Sequence, residues 1–211
     1  SETIGLGQIG VEGSDIYWLE QRPQEGGRTV AVRWRGGETI DLTPQPFNVR
    51  SRAHEYGGGA FRVDQGILYF VNFADQQLYR QAGQEPPEPL TQTPGLRYAD
   101  GVVDRQRQRM IWVQEDHRSG EHQVINILVS LPLTGGAAEI VAQGQDFYAS
   151  PTISPDGEWL AWLSWNQPQM PWDGTELWVA RLQVDGSLAN VQRVAGSPTE
   201  SVFQPRWSAE G

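Results

Sequence analysis

The sequence predicts an all-β fold: a partial β-propeller with about four four-stranded blades and the first strand of a fifth. Three observations predict it. Twenty-four glycines and 14 prolines divide the 211 residues into short segments, as expected for many strands joined by turns. Nine tryptophans, six tyrosines and six phenylalanines supply aromatic strands. Four of these aromatics, Trp18, Phe70, Trp112 and Trp162, recur at steps of 52, 42 and 50 residues, close to the roughly 40–50 residues of one blade.

Each of these four aromatic residues lies in the predicted second strand of a blade. The second strands are residues 15–19, 67–71, 109–113 and 159–163. A turn-forming segment precedes each of them, and the clearest is Ser154-Pro155-Asp156-Gly157. Proline presets φ, aspartate bonds back to the backbone and glycine accepts the last conformation of the turn. These turns predict hairpins whose first strands are residues 6–11, 59–63, 101–104 and 151–154.

Two further strands complete each predicted blade. The third strands are residues 29–34, 77–81, 123–131 and 176–182, and the fourth are residues 39–43, 88–91, 138–142 and 191–195. The blades then span residues 6–43, 59–91, 98–142 and 148–195. Residues 208–211 match the turn at 154–157, so a fifth blade is expected to start at residues 203–211. A β-sandwich with aromatic strands is the alternative, but it does not explain four similar units with a turn in the same place.

The composition argues against several classes of function. The formal net charge of −10 disfavours nucleic acid and anionic membranes as partners, because binding to phosphates needs clustered basic residues. The absence of cysteine excludes disulfides and thiolate metal sites, and it suits a reducing cytoplasm, where we expect the protein to reside. No apolar run approaches the roughly 20 residues of a membrane-spanning helix.

Catalytic and cofactor motifs are missing or lack their context. The chain has no Gly-x-Ser-x-Gly pentapeptide and no segment typical of the helices around a hydrolase sheet. Residues 5–10 spell Gly-x-Gly-x-x-Gly, but no strand can precede them and no helix follows, so we expect no dinucleotide cofactor. His117 and His122 share a loop with Glu115, Asp116 and Glu121. A metal site is conceivable there, but a solvated polar loop is favoured, and no metal is expected.

Long connections on one predicted face carry the candidate binding residues. Strands alternate in direction, so the connections at 44–58, 115–122 and 164–175 are expected on one side of the disc. The first contains five candidates, Arg50, Arg52, His54, Glu55 and Tyr56. The two arginines could clamp a carboxylate and Glu55 could meet an amine, or the charges could simply be solvated at a tight crossing that needs glycine. The third contains Trp172 and Asp173, which line a substrate path or belong to a small satellite core.

Four stretches resemble a known family. The segments HEYGGG (54–59), VNFADQ (71–76), SPDG (154–157) and MPWDG (170–174) are similar to the propeller of prolyl oligopeptidase-family serine peptidases of the dipeptidyl aminopeptidase/acylaminoacyl-peptidase type. The resemblance implies about seven blades followed by an α/β-hydrolase domain that carries a Ser-Asp-His triad. None of these triad residues falls in this chain. It also implies that the propeller covers the active site and restricts substrates to peptides, and that propeller acids bind the substrate's N-terminus in some relatives.

The resulting expectation is a substrate-gating propeller portion of a serine peptidase, inactive by itself because the catalytic domain is absent from this chain. Arg52, Glu55 and Asp173 are the best candidates to meet the termini of a peptide. The expected partners are peptide substrates, the hydrolase domain, and further copies of the chain bound through exposed blade edges. The alternative function is a non-enzymatic propeller that serves as a scaffold for protein partners.

Overall fold

The computed structural model of the chain describes residues 3–120 and 123–209. Within these residues, sixteen strands form four antiparallel sheets of four strands each. The only helical segments among them are two short 3₁₀ turns, Pro23–Glu25 and Arg105–Arg107. This architecture confirms the predicted all-β fold, a partial β-propeller of four blades. No helix in this described part of the chain is long and apolar enough to cross a membrane.

The chain divides into two compact units, Ser1–Ala99 and Asp100–Gly211. The first unit contains two sheets, and the strands of each lie side by side in sequence order. The first sheet consists of β1 (Gly5–Glu12), β2 (Asp15–Arg22), β3 (Arg28–Arg35) and β4 (Glu38–Asp41). The second consists of β5 (Phe61–Asp64), β6 (Ile67–Val71), β7 (Leu78–Ala82) and β8 (Glu88–Pro89).

The core of the first unit joins its two sheets through aromatic and aliphatic side chains. Tyr17 of β2 and Phe61 and Phe70 of the second sheet belong to one buried cluster. Gln8 adds a polar link, because it sits in the bulge of β1 and its amide reaches β5. Its Nε2 donates to Phe61 O at 2.6 Å, and its Oε1 accepts from Ala60 N at 2.7 Å. This side chain therefore fixes the end of the β4–β5 connection beside β1.

The second unit also contains two sheets in sequence order. One is formed by β9 (Leu96–Asp104), which starts in the first unit, with β10 (Arg109–Asp116), β11 (Ile125–Pro132) and β12 (Glu139–Ala142). The other is formed by β13 (Phe147–Ile153), β14 (Trp159–Trp165), β15 (Glu176–Leu182) and β16 (Leu188–Gly196).

A buried ion cluster ties the two sheets of the second unit together. Asp104, 1% exposed, pairs with Arg107 Nη1 and Arg109 Nε, each at 3.0 Å. Arg107 also donates to Gln183 O at 2.7 Å, and Arg109 donates to Gly186 O at 2.8 Å. The carboxylate thus holds two arginines that hydrogen-bond to backbone of the neighbouring sheet.

The chain after β16 does not form a strand where the fifth blade was expected. Residues 203–208 are described and lie outside any strand, although Trp207 Nε1 donates to Thr152 O at 3.2 Å. Residues 210 and 211 lie outside the described part of the chain. The first strand of a fifth blade therefore stays a prediction.

Candidate functional site

The connection between β4 and β5 carries five of the seven candidate residues. After a turn in which Phe47 N donates to Pro44 O at 3.0 Å, it runs beside β6, where Arg50 N donates to Val71 O at 3.1 Å. Ser51 is buried and its Oγ donates to Tyr98 O at 2.6 Å. Side chains alternate in an extended segment, and the flanking Arg50 and Arg52 are exposed.

A tight turn follows and displays the next three candidates. Glu55 N donates to Arg52 O at 3.1 Å, and Gly57 N donates to Ala53 O at 2.8 Å. His54 and Glu55 adopt φ of 55° and 64°, a left-handed conformation that costs a residue with a Cβ and is over-represented at ligand sites. The His54 and Tyr56 ring centroids are 5.5 Å apart, and Tyr56 is 58% exposed.

Glu55 has a cationic partner, Arg97, that no local sequence pattern predicts. Arg97, near the start of β9, places Nη1 2.5 Å from Glu55 Oε1 and donates to Arg52 O at 3.1 Å. The side chain of Arg97 is 17% exposed and that of Glu55 is 70% exposed. The charge of Glu55 is therefore offset, which weakens its case as an acceptor for a substrate amine.

The two stretches 50–59 and 71–76 contact each other. The Arg50 guanidinium carbon lies 4.9 Å from the centroid of the Phe73 ring, a cation–π contact. Arg52 N donates to Gln76 Oε1 at 2.7 Å. Within the described residues, the guanidinium groups of Arg50 and Arg52 form no ion pair, unlike that of Arg97.

A cavity of about 320 Å³ opens between this connection and the first sheet. Its walls come from β1, from the facing parts of β2 and β3, and from residues 49–60. Arg50 and Tyr56 line it, together with the glycines Gly5, Gly7 and Gly57. Among the described lining residues, Arg50 is the one that carries a charge.

Trp172 and Asp173 lie in the second unit, in the connection between β14 and β15. Asp173 caps its own turn, because its Oδ2 accepts from Met170 N at 3.1 Å and its N donates to Met170 O at 2.9 Å. Trp172 is 67% exposed, so it is not part of a satellite core. That description fits Trp165, which is 5% exposed and stacks on Phe147 with ring centroids 5.3 Å apart.

Contacts between nearby side chains hold the end of β10 and the loop that follows it. Glu115 is 2% exposed and its Oε2 is 3.0 Å from His117 Nε2. The hydrogen-bonded Arg118 guanidinium, 2.6 Å from Asp116, lowers the pKa of that carboxyl group below its ordinary value. Glu121 and His122, considered above as metal ligands, lie outside the described residues. The described residues contain no group of three or more side chains suited to a metal ion.

No protein-family model and no curated protein matches the chain. Among solved structures, a puromycin-hydrolyzing peptidase from Mycobacterium tuberculosis is 38% identical, with a TM-score of 0.88 over 98% of this chain. A puromycin hydrolase, solved alone and in complex with PGG, is 34% identical with a TM-score of 0.90 over 98% of this chain. The chain spans 34% of the length of each of these proteins. A putative TolB from Agrobacterium tumefaciens, 14% identical with a TM-score of 0.64, covers 94% of this chain and shows the fold alone.

Proposed function

Because the chain is a partial propeller region of the prolyl oligopeptidase family, we propose that it is the substrate-gating portion of a serine peptidase whose catalytic domain lies outside these 211 residues. The observation that carries the proposal is the 34–38% identity over 98% of the chain to a puromycin-hydrolyzing peptidase and a puromycin hydrolase. An identity at that level, over a shared fold, supports a shared role more strongly than the fold alone, which hosts many functions.

The proposed gating works by enclosure and by charge. A propeller placed over an active site admits short peptides and excludes folded proteins. Charged groups that enter an enclosed space lose hydration, so they need charged partners inside it. The β4–β5 connection supplies such partners in Arg50 and Arg52, and the β14–β15 connection supplies the exposed Trp172 and Asp173. We propose these residues, with His54, Glu55 and Tyr56, as the substrate-facing set.

The proposed partners follow from the same function. They are peptide substrates, the hydrolase domain of the complete protein, and, for the isolated chain, further copies of itself. Exposed apolar residues on β1 support self-association, since Leu6, Ile9 and Val11 are each 70–76% exposed. The absence of cysteine supports a cytoplasmic location.

Activity-based labelling tests the proposal. The isolated chain and the complete protein that contains it are incubated with a fluorophosphonate serine probe, then with puromycin and short aminoacyl peptides. We expect the complete protein to be labelled at a serine outside residues 1–211, to cleave short peptides and to leave a folded protein intact. A labelled serine within residues 1–211 would overturn the division of roles. A complete reading frame without a Gly-x-Ser-x-Gly elbow would instead favour the non-enzymatic scaffold.

A further inference from the structure

We propose that the 320 Å³ cavity of the first unit is a carboxylate subsite, and that Arg50 binds the free C-terminal carboxylate of a short peptide there. The choice of a peptide rests on the proposed function. The preference for an anion rests on the cavity itself.

The charge of the cavity wall opposes that of the chain. The chain carries a formal net charge of −10, yet Arg50 is the only charged residue among the described residues that line this cavity. A single positive group in a concave site attracts an anion and repels a cation. Glu55, the acid nearest in sequence, does not reverse this polarity, because Arg97 Nη1 lies 2.5 Å from its Oε1.

Arg50 is held in place but keeps its hydrogen-bond donors for a ligand. Its backbone N donates to Val71 O at 3.1 Å, and its guanidinium lies over the Phe73 ring at 4.9 Å. Stacking leaves the in-plane N–H groups free, and these groups match the two oxygens of a carboxylate. Two other arginines of this unit, Arg22 and Arg28, are by contrast already engaged: Arg22 contacts three carboxylates, and Arg28 contacts Glu25. A fixed guanidinium loses less conformational entropy when it binds than a mobile one.

The remaining walls fit the chain of a peptide. Gly5 and Gly7 on β1 and Gly57 on the connection leave backbone at the cavity surface instead of side chains. At Gly57 an added Cβ would lie 3.0 Å from Ser51 O and φ is 90°, so a larger residue is disfavoured there. Tyr56 adds an aromatic surface at the opening, since it lines the cavity and is 58% exposed. The site therefore combines one charged anchor with apolar and backbone surface, as ligand pockets commonly do.

Direct binding to the 211-residue chain tests the inference without any catalytic step. An N-acetylated tripeptide is titrated by calorimetry as the free acid and as the C-terminal amide. We expect the acid to bind about tenfold more tightly than the amide, and Arg50→Gln to bring the acid down to the affinity of the amide. Arg206→Gln is the matched control, because it removes the same charge from an exposed position in the second unit; it should leave the ratio unchanged.

Three results would overturn the inference. They are equal affinity for acid and amide, an equal loss in Arg206→Gln, and competition by inorganic phosphate as strong as that by the peptide acid, which would indicate a general anion site. If Arg50→Gln fails to fold, Arg50→Lys decides, since it keeps the charge without the two-pronged geometry and should retain only part of the preference for the acid. The binding experiment involves no cleavage of a peptide. A negative binding result therefore does not contradict the proposed function, and a negative labelling result does not contradict the carboxylate subsite.

Discussion

Glu55 and Arg97 are 42 positions apart in the sequence, yet Glu55 Oε1 and Arg97 Nη1 lie 2.5 Å apart. The same nitrogen of Arg97 also donates to Arg52 O at 3.1 Å. One mostly buried guanidinium from the start of β9 therefore holds both the backbone and the acid of the turn that follows Arg52. This contact makes Arg97 part of the candidate site although it lies outside the connection.

Replacement of Arg97 should loosen this turn. We expect Arg97→Gln to lower the free energy of unfolding by about 1 kcal/mol, because it removes a partly exposed ion pair and weakens a bond to a backbone carbonyl. Urea denaturation measures the change. Glu55→Gln is the matched variant, and it should cost less than half as much, because the bond from Arg97 to Arg52 O remains. Equal losses in the two variants would mean that the backbone bond contributes nothing.

Because Trp112 packs closely against Gly101, replacing Gly101 by a larger residue should lower the free energy of unfolding. Trp112 is fully buried, and an added Cβ at Gly101 would overlap its ring. We expect Gly101→Ala to cost about 1–3 kcal/mol, because overpacking forces the neighbours to move. Gly7→Ala is the control, since a Cβ there would lie at an ordinary 3.7 Å from Leu19 Cβ; it should change stability by less than about 0.5 kcal/mol. Thermal melts followed by circular dichroism compare the two, and a tolerated alanine at position 101 would contradict the packing described.

Asp104 should be among the most sensitive acidic residues. Its removal leaves Arg107 and Arg109, each with a side chain 11% exposed, without their shared carboxylate. We expect Asp104→Ala to cost about 3–5 kcal/mol, the usual penalty for an uncompensated buried charge. Asp185→Ala serves for comparison, because Asp185 is exposed and its Oδ1 accepts from the backbone N and the hydroxyl of Ser187; its loss should stay near 1 kcal/mol. Urea denaturation measures the free energy of unfolding of the two variants, and equal losses would refute the prediction.

The hydrogen bonds of the turn at 154–157 should lower the pKa that a titration measures for Asp156. The hydroxyl of Ser154, 2.5 Å from Asp156 Oδ1, lowers the pKa of that carboxyl group, and the backbone N–H of Glu158 adds to the effect. Because the pKa is lower in the folded than in the unfolded state, the turn gains stability above the ordinary carboxyl pKa of about 4 and loses it as the pH falls through the lower, folded value. Ser154→Ala should therefore raise the pKa of Asp156, as measured by NMR titration. Ser187→Ala should leave it unchanged, and an unshifted Asp156 in Ser154→Ala would rule out the hydroxyl as the cause.

The strands were predictable because their signals are local. The second strands carry a dense aromatic and branched pattern, and turns such as 154–157 fix where each hairpin bends. Residues 67–71 and 176–182 were predicted with the bounds of β6 and β15. Other strands run longer than predicted, as β9 does by starting at Leu96, directly after a turn at Pro94-Gly95 in which Leu96 N donates to Thr93 O at 3.3 Å.

The site was less predictable because its contacts are distant in sequence. The sequence predicts Arg50 and Arg52 as candidates because the two charges lie near three consecutive glycines, and both are exposed in the structure. The pairing of Glu55 with Arg97 depends on how β9 passes the connection, which no local pattern encodes. Burial separates Trp165, the last residue of β14, from Trp172 in the connection that follows, although the two tryptophans look equivalent in the sequence.

The order of strands within the sheets has a consequence for synthesis on the ribosome. Each sheet is built from four consecutive strands, and the longest, from Phe147 to Gly196, needs 50 residues. At roughly 5–20 residues per second, such a segment emerges over several seconds, whereas a hairpin forms within about 10 μs. Every sheet can thus complete its hydrogen bonding before the next has left the exit tunnel. Within residues 3–120 and 123–209, no strand of a sheet has to wait for a partner from a later sheet, which limits the exposure of these strands to aggregation during translation.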